Sequence, residues 1–169
     1  MVSASDHRNR QLRSSRFNGK YVLYWMIRDK RVHDNWALLE AQKIAIEQKV
    51  PLLVCFQFIG SYKKANIRQY QFLFEGLKDT EKELHKYQIG FILLKGAAEV
   101  QIPKIIDQHI VGHLVTDFSP LKVYQNRLKK VLSKVSIPVT QVDAHNIVPV
   151  WHASDKKEFA AYTLSLIHI

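Results

Sequence analysis

Two short stretches hold the side chains best suited to gripping a ligand. WMIRD supplies Trp25, Met26, Arg28 and Asp29, and TDFSP supplies Asp117, Phe118 and Ser119. Trp25, Met26 and Phe118 offer flat apolar walls, while Arg28, Asp29, Asp117 and Ser119 offer polar hooks at their margin. That combination suits a planar heterocycle. A further polar set, Asp143, His145 and Asn146, comes from VDAHN. An Asp at a strand end also serves simply to tie down the next turn, and this plainer reading stands beside the ligand one for Asp117 and Asp143. The loop RDKRVHDN, Arg28 to Asn35, interleaves Arg28, Lys30, Arg31 and His33 with Asp29 and Asp34. Its plainer reading is a knot of local ion pairs, which is compatible with rimming a pocket.

Other chemistries find little support. The RDKRVHDN loop has no glycine, so it lacks the tight turn that brings backbone up to a pyrophosphate, and no Walker sequence occurs. Cys55, the single cysteine, sits in the apolar run PLLVCF and reads as core. The eight histidines form no HExxH and no cluster at ligand spacing, so no metal site is expected. Ser119 lacks the GxSxG elbow of a nucleophile.

Short β-rich runs alternate with helix-period stretches, and these place the candidate residues. The expected strands are Tyr21–Ile27, Pro51–Phe58, Ile89–Lys95, His113–Asp117 and Ile137–Asp143. A first helix covers 34–49, capped by Asp34 or Asn35, with Trp36, Leu39, Ile44 and Ile46 on its apolar side. A second covers 66–88, capped by Asn66 with Gln69 as reciprocal partner, and Gly76 inside it marks a close packing point. A third covers 97–110 and is divided at Pro103. A fourth covers 120–135, capped by Ser119 with Pro120 in the first helical position.

This alternation predicts an α/β fold: a doubly wound, Rossmann-like, five-stranded parallel sheet with helices on both faces. Counted from the Tyr21 strand, its order is 3-2-1-4-5. Ligands of such sheets sit outside the carboxyl ends of the strands where the order reverses. The expected crevice therefore lies between RDKRVHDN and TDFSP, where the free N–H groups of a helix start favour an anionic or carbonyl-rich ligand edge.

A chain of 169 residues is one domain's worth. Hydrophobic residues at 47% and charged ones at 24% exclude wholesale disorder. One cysteine excludes an internal disulfide framework and a Cys-built zinc site. The apolar runs are too short to span a bilayer, so the chain reads as soluble and intracellular. Lys and Arg number 25 against 15 Asp and Glu, a net +10 that favours polyanionic partners, with a merely basic soluble surface as the alternative. Part of the excess lies in residues 1–19, which lack the apolar core of a secretory signal and read as a solvated basic arm. KVYQNRLKKVLSK is a basic helix face, read as solvated surface with a nucleic-acid patch as the alternative. Residues 144–163 are apolar and aromatic but form no further unit.

YVLYWMIRDKRVHDNWALLEAQ, RQYQFLFEGL, LVTDFSPLK and VDAHNIVPVWHAS follow one another between about Lys20 and Thr163. They resemble the photolyase/cryptochrome family and, within it, class II cyclobutane pyrimidine dimer photolyases. VDAHNIVPVW joined with TDFSPL is the most specific part. The resemblance implies a light-driven flavin enzyme that splits pyrimidine dimers in UV-damaged DNA, built from an α/β antenna domain and a helical domain holding FAD. The lesion reaches such a flavin by base extrusion.

On this resemblance residues 20–143 are the antenna domain, 1–19 a basic arm, and 144–163 the start of a connector to a helical domain outside this chain. No catalytic residue carries over. The chain alone is expected to show neither flavin absorbance nor repair. In the crevice, Trp25 and Met26 would form the wall, Arg28 and Asp29 the rim, with Asp117, Phe118 and Ser119 opposite. A deazaflavin is the implied antenna chromophore, folate the second choice and an empty pocket the third. The implied protein is a monomer that meets damaged DNA and no membrane. It is cytoplasmic in a bacterium or archaeon and nuclear or organellar in a eukaryote. The alternatives are a free-standing α/β nucleotide-binding or interaction module and a cryptochrome-like photoreceptor. A severed antenna domain should expose several of Ile147, Val150, Trp151 and Phe159, whereas a free-standing module should cover them. The ending LSLIHI, residues 164–169, departs from the family pattern. It can be encoded by CTG TCT CTT ATA CAC ATC, a transposase mosaic end, and is expected to be translated sequencing adapter.

Overall fold

The computed structural model describes residues 6–60 and 65–154. Five strands run parallel: β2 (Tyr21–Met26), β3 (Leu52–Phe58), β4 (Gly90–Lys95), β5 (Val111–Asp117) and β6 (Val139–Val142). A sixth, β1 (Asn9–Arg13), joins antiparallel to β6, giving the order β1-β6-β5-β2-β3-β4. Within the parallel part the order is the one that the crossover rules predict. The count of five is corrected to six.

Residues 9–13 are thus an edge strand and not a solvated arm. Their N–H and C=O groups pair with the otherwise open edge of β6, and Leu12 packs into the core. Behind β1 the chain crosses the start of β5 at very close range. Lys20 donates its N–H to the Ile110 carbonyl, and Gly19 lies so near Gly112 that a Cβ would overlap its backbone.

β2 is central and covered on both faces, which is why Val22 to Met26 are all buried despite carrying no polar alternation. One face packs Val22, Tyr24 and Met26 against α1 (Trp36–Gln48) and the end of α2 (Ile67–Lys86). The other packs Leu23, Trp25 and Cys55 against α3 (Ala98–His109) and α4 (Lys122–Leu132). Right-handed crossovers on either side of β2 require this division. Cys55 is fully buried, and burial pushes its thiol up, so it stays an inert thiol.

Four further expectations change. On α1 the buried side chains are Ala37, Leu38, Ala41, Ile44 and Ala45, while Trp36, Leu39 and Ile46 face outward. The cap sets this phase: Asn35 is itself buried, so positions three, six and ten further on turn inward with it. α3 is one helix through Pro103, which forfeits one intrahelical hydrogen bond while buried Ile102, Ile105 and Ile106 hold the helix on the sheet. α4 begins after Leu121 with no side-chain cap, because the Ser119 hydroxyl is buried away from it. A Cβ at Gly76 would meet open space, so this glycine is no packing point. The capping box of Asn66 and Gln69 forms as expected, at 2.9 and 3.2 Å.

Candidate functional site

The loop after β2 is held from below by a single carboxylate. Asp117, 1% exposed at the end of β5, accepts the backbone N–H groups of Ile27 (2.7 Å), Arg28 (2.5 Å) and Asp29 (3.2 Å). Burial pushes its carboxyl up to about 6, with the N–H groups of Arg28, Ile27 and Asp29 holding it back from a larger rise. Asn35 closes the other end of the loop. Its Oδ1 accepts from Leu38 N–H at 3.0 Å as the α1 cap, and its Nδ2 donates to the Asp29 and Arg31 carbonyls at 3.1 and 3.0 Å. The Tyr24 hydroxyl sits 3.2 Å from Nδ2, buried beneath it. The expected knot of ion pairs inside the loop does not form among the described residues. Backbone donors on Asp117 and carbonyls on Asn35 shape the turn instead.

A second buried carboxylate organises the turn after β6. Asp143 accepts from the N–H groups of His145, Asn146 and Val150 and from the Asn146 amide. Burial alone would raise its carboxyl, but the Asn146 side chain and these N–H groups overcome that and hold it below the ordinary value. Arg8 clamps the same turn from outside. It donates to the carbonyls of Asp143, Asn146 and Ile147, and its guanidinium lies 4.9 Å over the Trp36 ring. His145 joins the two turns through Nδ1, 3.2 Å from Asp29 Oδ1.

Beside this rigid corner lies a cleft of about 270 Å³ at the carboxyl ends of β2 and β3. Trp25, Met26 and Ile27 form its floor with Phe56, Gln57 and Phe58. The first two turns of α2 bring Gln69, Tyr70 and Leu73 over one side, and α4 brings Tyr124 and Arg127 over the other. Phe58 is fixed edge-on between Tyr70 and Phe74, at 5.5 and 5.0 Å. Lys30 reaches in from the loop, 5.3 Å from the Phe56 ring centre. Its backbone carbonyl accepts the Thr80 hydroxyl of α2 at 2.9 Å, so loop and helix are braced together. Burial lowers the Lys30 ammonium despite the nearby Asp117 and Asp29 carboxylates. The result is flat aromatic walls with two cationic hooks, Lys30 and Arg127, and two amide hooks, Gln57 and Gln69.

Of the residues singled out from sequence, Trp25 and Met26 line this cleft. Arg28 and Asp29 do not: the N–H groups of both are committed to Asp117, and the Asp29 side chain turns to His145. Phe118 packs edge-on against Trp151 at 5.9 Å. The Ser119 hydroxyl and Asp29 Oδ2 are buried without a hydrogen-bond partner among the described residues. Sequence reasoning missed Phe56, Phe58, Tyr70, Tyr124 and Arg127. The aromatic pair two residues apart at the end of the second strand was the available signal. No group of His, Cys, Asp and Glu among the described residues is arranged to hold a metal ion, and none of the described helices is long and apolar enough to cross a membrane.

The cleft thus sits outside the carboxyl ends of the strands, where doubly wound sheets of this kind bind their ligands. The DNA photolyase family model matches residues 22–165, and the chain belongs to that family. It is 46% identical over 144 residues to a deoxyribodipyrimidine photo-lyase of Potorous tridactylus, covering 84% of this chain and 27% of that protein. An Arabidopsis thaliana protein of the same name is 39% identical over 145 residues, covering 85% and 29%. One from Methanothermobacter thermautotrophicus is 34% identical over 163 residues, covering 96% and 36%. The chain therefore spans roughly a third or less of the length of these relatives. A cryptochrome from Synechocystis shares the fold, with a TM-score of 0.57 at 17% identity over 68% of this chain and 24% of that one.

Proposed function

We propose that this chain is the α/β antenna domain of a class II pyrimidine dimer photolyase, and that the cleft over β2 and β3 holds a deazaflavin chromophore. The observation that carries this reading is the cleft itself. At about 270 Å³ it is just under the usual size of ligand pockets, about 300 to 1,000 Å³. That is room for a fused ring system and too little for a whole dinucleotide. Trp25, Phe56, Phe58, Tyr70 and Tyr124 would sandwich the ring, and Lys30 and Arg127 would pair with its anionic edge. Folate is the second choice and an empty pocket the third.

The bound chromophore supplies light absorption and passes the excitation on. FAD would be held in the remaining two-thirds of a protein of the relatives' length, where damaged DNA would also be met. Ile147 at 93% exposure, together with Val148 and Val150, supports a surface meant for that remainder. Trp151 is half-buried, and Phe159 and residues 164–169 lie outside the described residues.

Fluorescence titration of a deazaflavin into the 169-residue chain tests the assignment. K30Q/R127Q should weaken binding at least tenfold, and Phe118→Ala should leave it unchanged. The opposite pattern would move the pocket to the TDFSP turn. The purified chain should also show no flavin absorption band and no dimer repair under light.

A further inference from the structure

The excess positive charge is not spread over this molecule. Residues 7–20 carry Arg8, Arg10, Arg13, Arg16 and Lys20 and no carboxylate; residues 118–142 carry Lys122, Arg127, Lys129, Lys130 and Lys134 and no carboxylate. These ten cations equal the net +10 of the whole chain, so the rest is balanced. The two stretches lie a hundred residues apart in sequence, and the antiparallel pairing of β1 with β6 makes them neighbours.

Register places the side chains. Arg10 pairs with Gln141 and Arg13 with Val139, and Val139 belongs to the core beneath α3 and α4, so both arginines stand on the α4 face of the sheet. Arg13 confirms this by donating to the Leu132 carbonyl at the end of α4, at 2.9 Å, and the Ser15 hydroxyl reaches the Ser136 carbonyl at 3.0 Å. On α4, Lys130 turns toward α3 and pairs with Glu99 at 3.2 Å. Lys122 and Lys129, seven residues apart and so in one row, are exposed and lie about a quarter turn around the helix from Lys130. Arg10, Arg16, Lys122 and Lys129 are exposed and are in no ion pair among the described residues.

We infer that this β1–α4 flank is a docking surface for the phosphate backbone of duplex DNA, independent of lesion and sequence. A band of cations with no anion among them is the footprint of backbone neutralisation, in which counterion release supplies the affinity. Among the described residues the flank lacks the exposed aromatic platforms that single strands require. The choice of DNA among polyanions rests on the family reading; the surface itself does not depend on the chromophore cleft. The flank would hold the protein on undamaged duplex.

The test is fluorescence anisotropy with a lesion-free duplex of about 20 base pairs, in the dark, at salt between about 50 and 200 mM. The full 169-residue chain should bind with a steep salt dependence. R10Q/R16Q/K129Q should weaken binding at about 100 mM salt by tenfold or more and flatten the log–log salt slope by about 2.7, or 0.9 for each lost contact. The control K49Q/R68Q/K78Q removes the same charge from the opposite side of the sheet and should change neither by more than about a third of that. Circular dichroism confirms folding of both variants. Equal losses in the two variants, or no loss in the first, would overturn the inference. So would tighter binding to phosphatidylserine vesicles than to duplex, with the same variant effect. Deazaflavin titration of the R10Q/R16Q/K129Q chain separates this outcome from failure of the antenna reading, since the cleft is untouched.

Discussion

Asn35 is the residue on which the cleft corner most depends, and its two roles can be separated by substitution. Asn35→Ala removes the α1 cap, worth about 1 kcal/mol. It also strips donors from the buried Tyr24 hydroxyl and the Asp29 carbonyl, at about 1 kcal/mol or more each. The expected loss is about 3 kcal/mol, or a fall in Tm of roughly 6–12 °C for a domain of this size. Asn35→Asp keeps the cap, since a carboxylate accepts from Leu38 N–H as well as an amide does. It replaces the donor, however, with an anion facing two carbonyls in a fully buried position near Asp117. N35D should therefore be at least as destabilised as N35A at pH 7, although Asp and Asn cap helices equally well. The new carboxyl would have a raised folded pKa, so its penalty should shrink as pH falls toward 5 and the protonated form regains a donor. Guanidinium unfolding of both variants at pH 7 and pH 5 measures this. An N35D variant within about 0.5 kcal/mol of the parent at pH 7 would refute the reasoning, because it would make the cap the whole contribution.

Asp117 makes an unusual pH prediction. Its folded carboxyl titrates near 6 against an ordinary 3.8, so its contribution is fully present below about pH 4 and is lost as pH rises through 6. The stability difference between parent and D117N should fall by ~2.4 kcal/mol between pH 4 and pH 7, and a flat difference would contradict the assignment. Gly19→Ala drives a methyl into the backbone of Gly112, which cannot move without shifting β5, and should cost about 3 kcal/mol or more in chemical unfolding. Arg8→Ala releases three carbonyls of the 143–147 turn. Limited proteolysis should then cut between Asn146 and Val150 several times faster, and Arg8→Lys, which cannot span three acceptors, should not restore protection.

Much of this architecture is local in origin and was readable in the chain. The apolar run Tyr21–Met26, the Asn66/Gln69 capping box and the alternation of strand and helix each depend on neighbours within a few residues. Crossover handedness, which needs only the list of elements, narrows the order of the five parallel strands to a handful that includes the observed one. The cleft was half legible. Trp25 and Met26 belong to a strand whose end the switch-point rule marks. Tyr70, Tyr124 and Arg127 come from two helices on opposite faces of the sheet, and no spacing along the chain relates them. Asp117 was visible as a strand-end acid, but whether it met a ligand or three backbone N–H groups depended on how closely the β2 loop approaches it.

By itself the sequence determined the class of fold and the existence of two acid-free basic stretches, because composition and side-chain period are properties of contiguous residues; the family came from the resemblance of four motifs in order. Only the tertiary structure decided that residues 9–13 are a strand, since five residues without apolar alternation gain ladder hydrogen bonds only when an open edge is offered to them. The β6 edge, some 130 positions away, offers it. That pairing puts Arg10 and Arg13 on the sheet face that α4 covers, with Arg13 reaching the end of α4 at Leu132. Two solvated segments become one charged surface, because backbone donors and acceptors left unpaired on a sheet edge select their partners by position in space and not by distance along the chain.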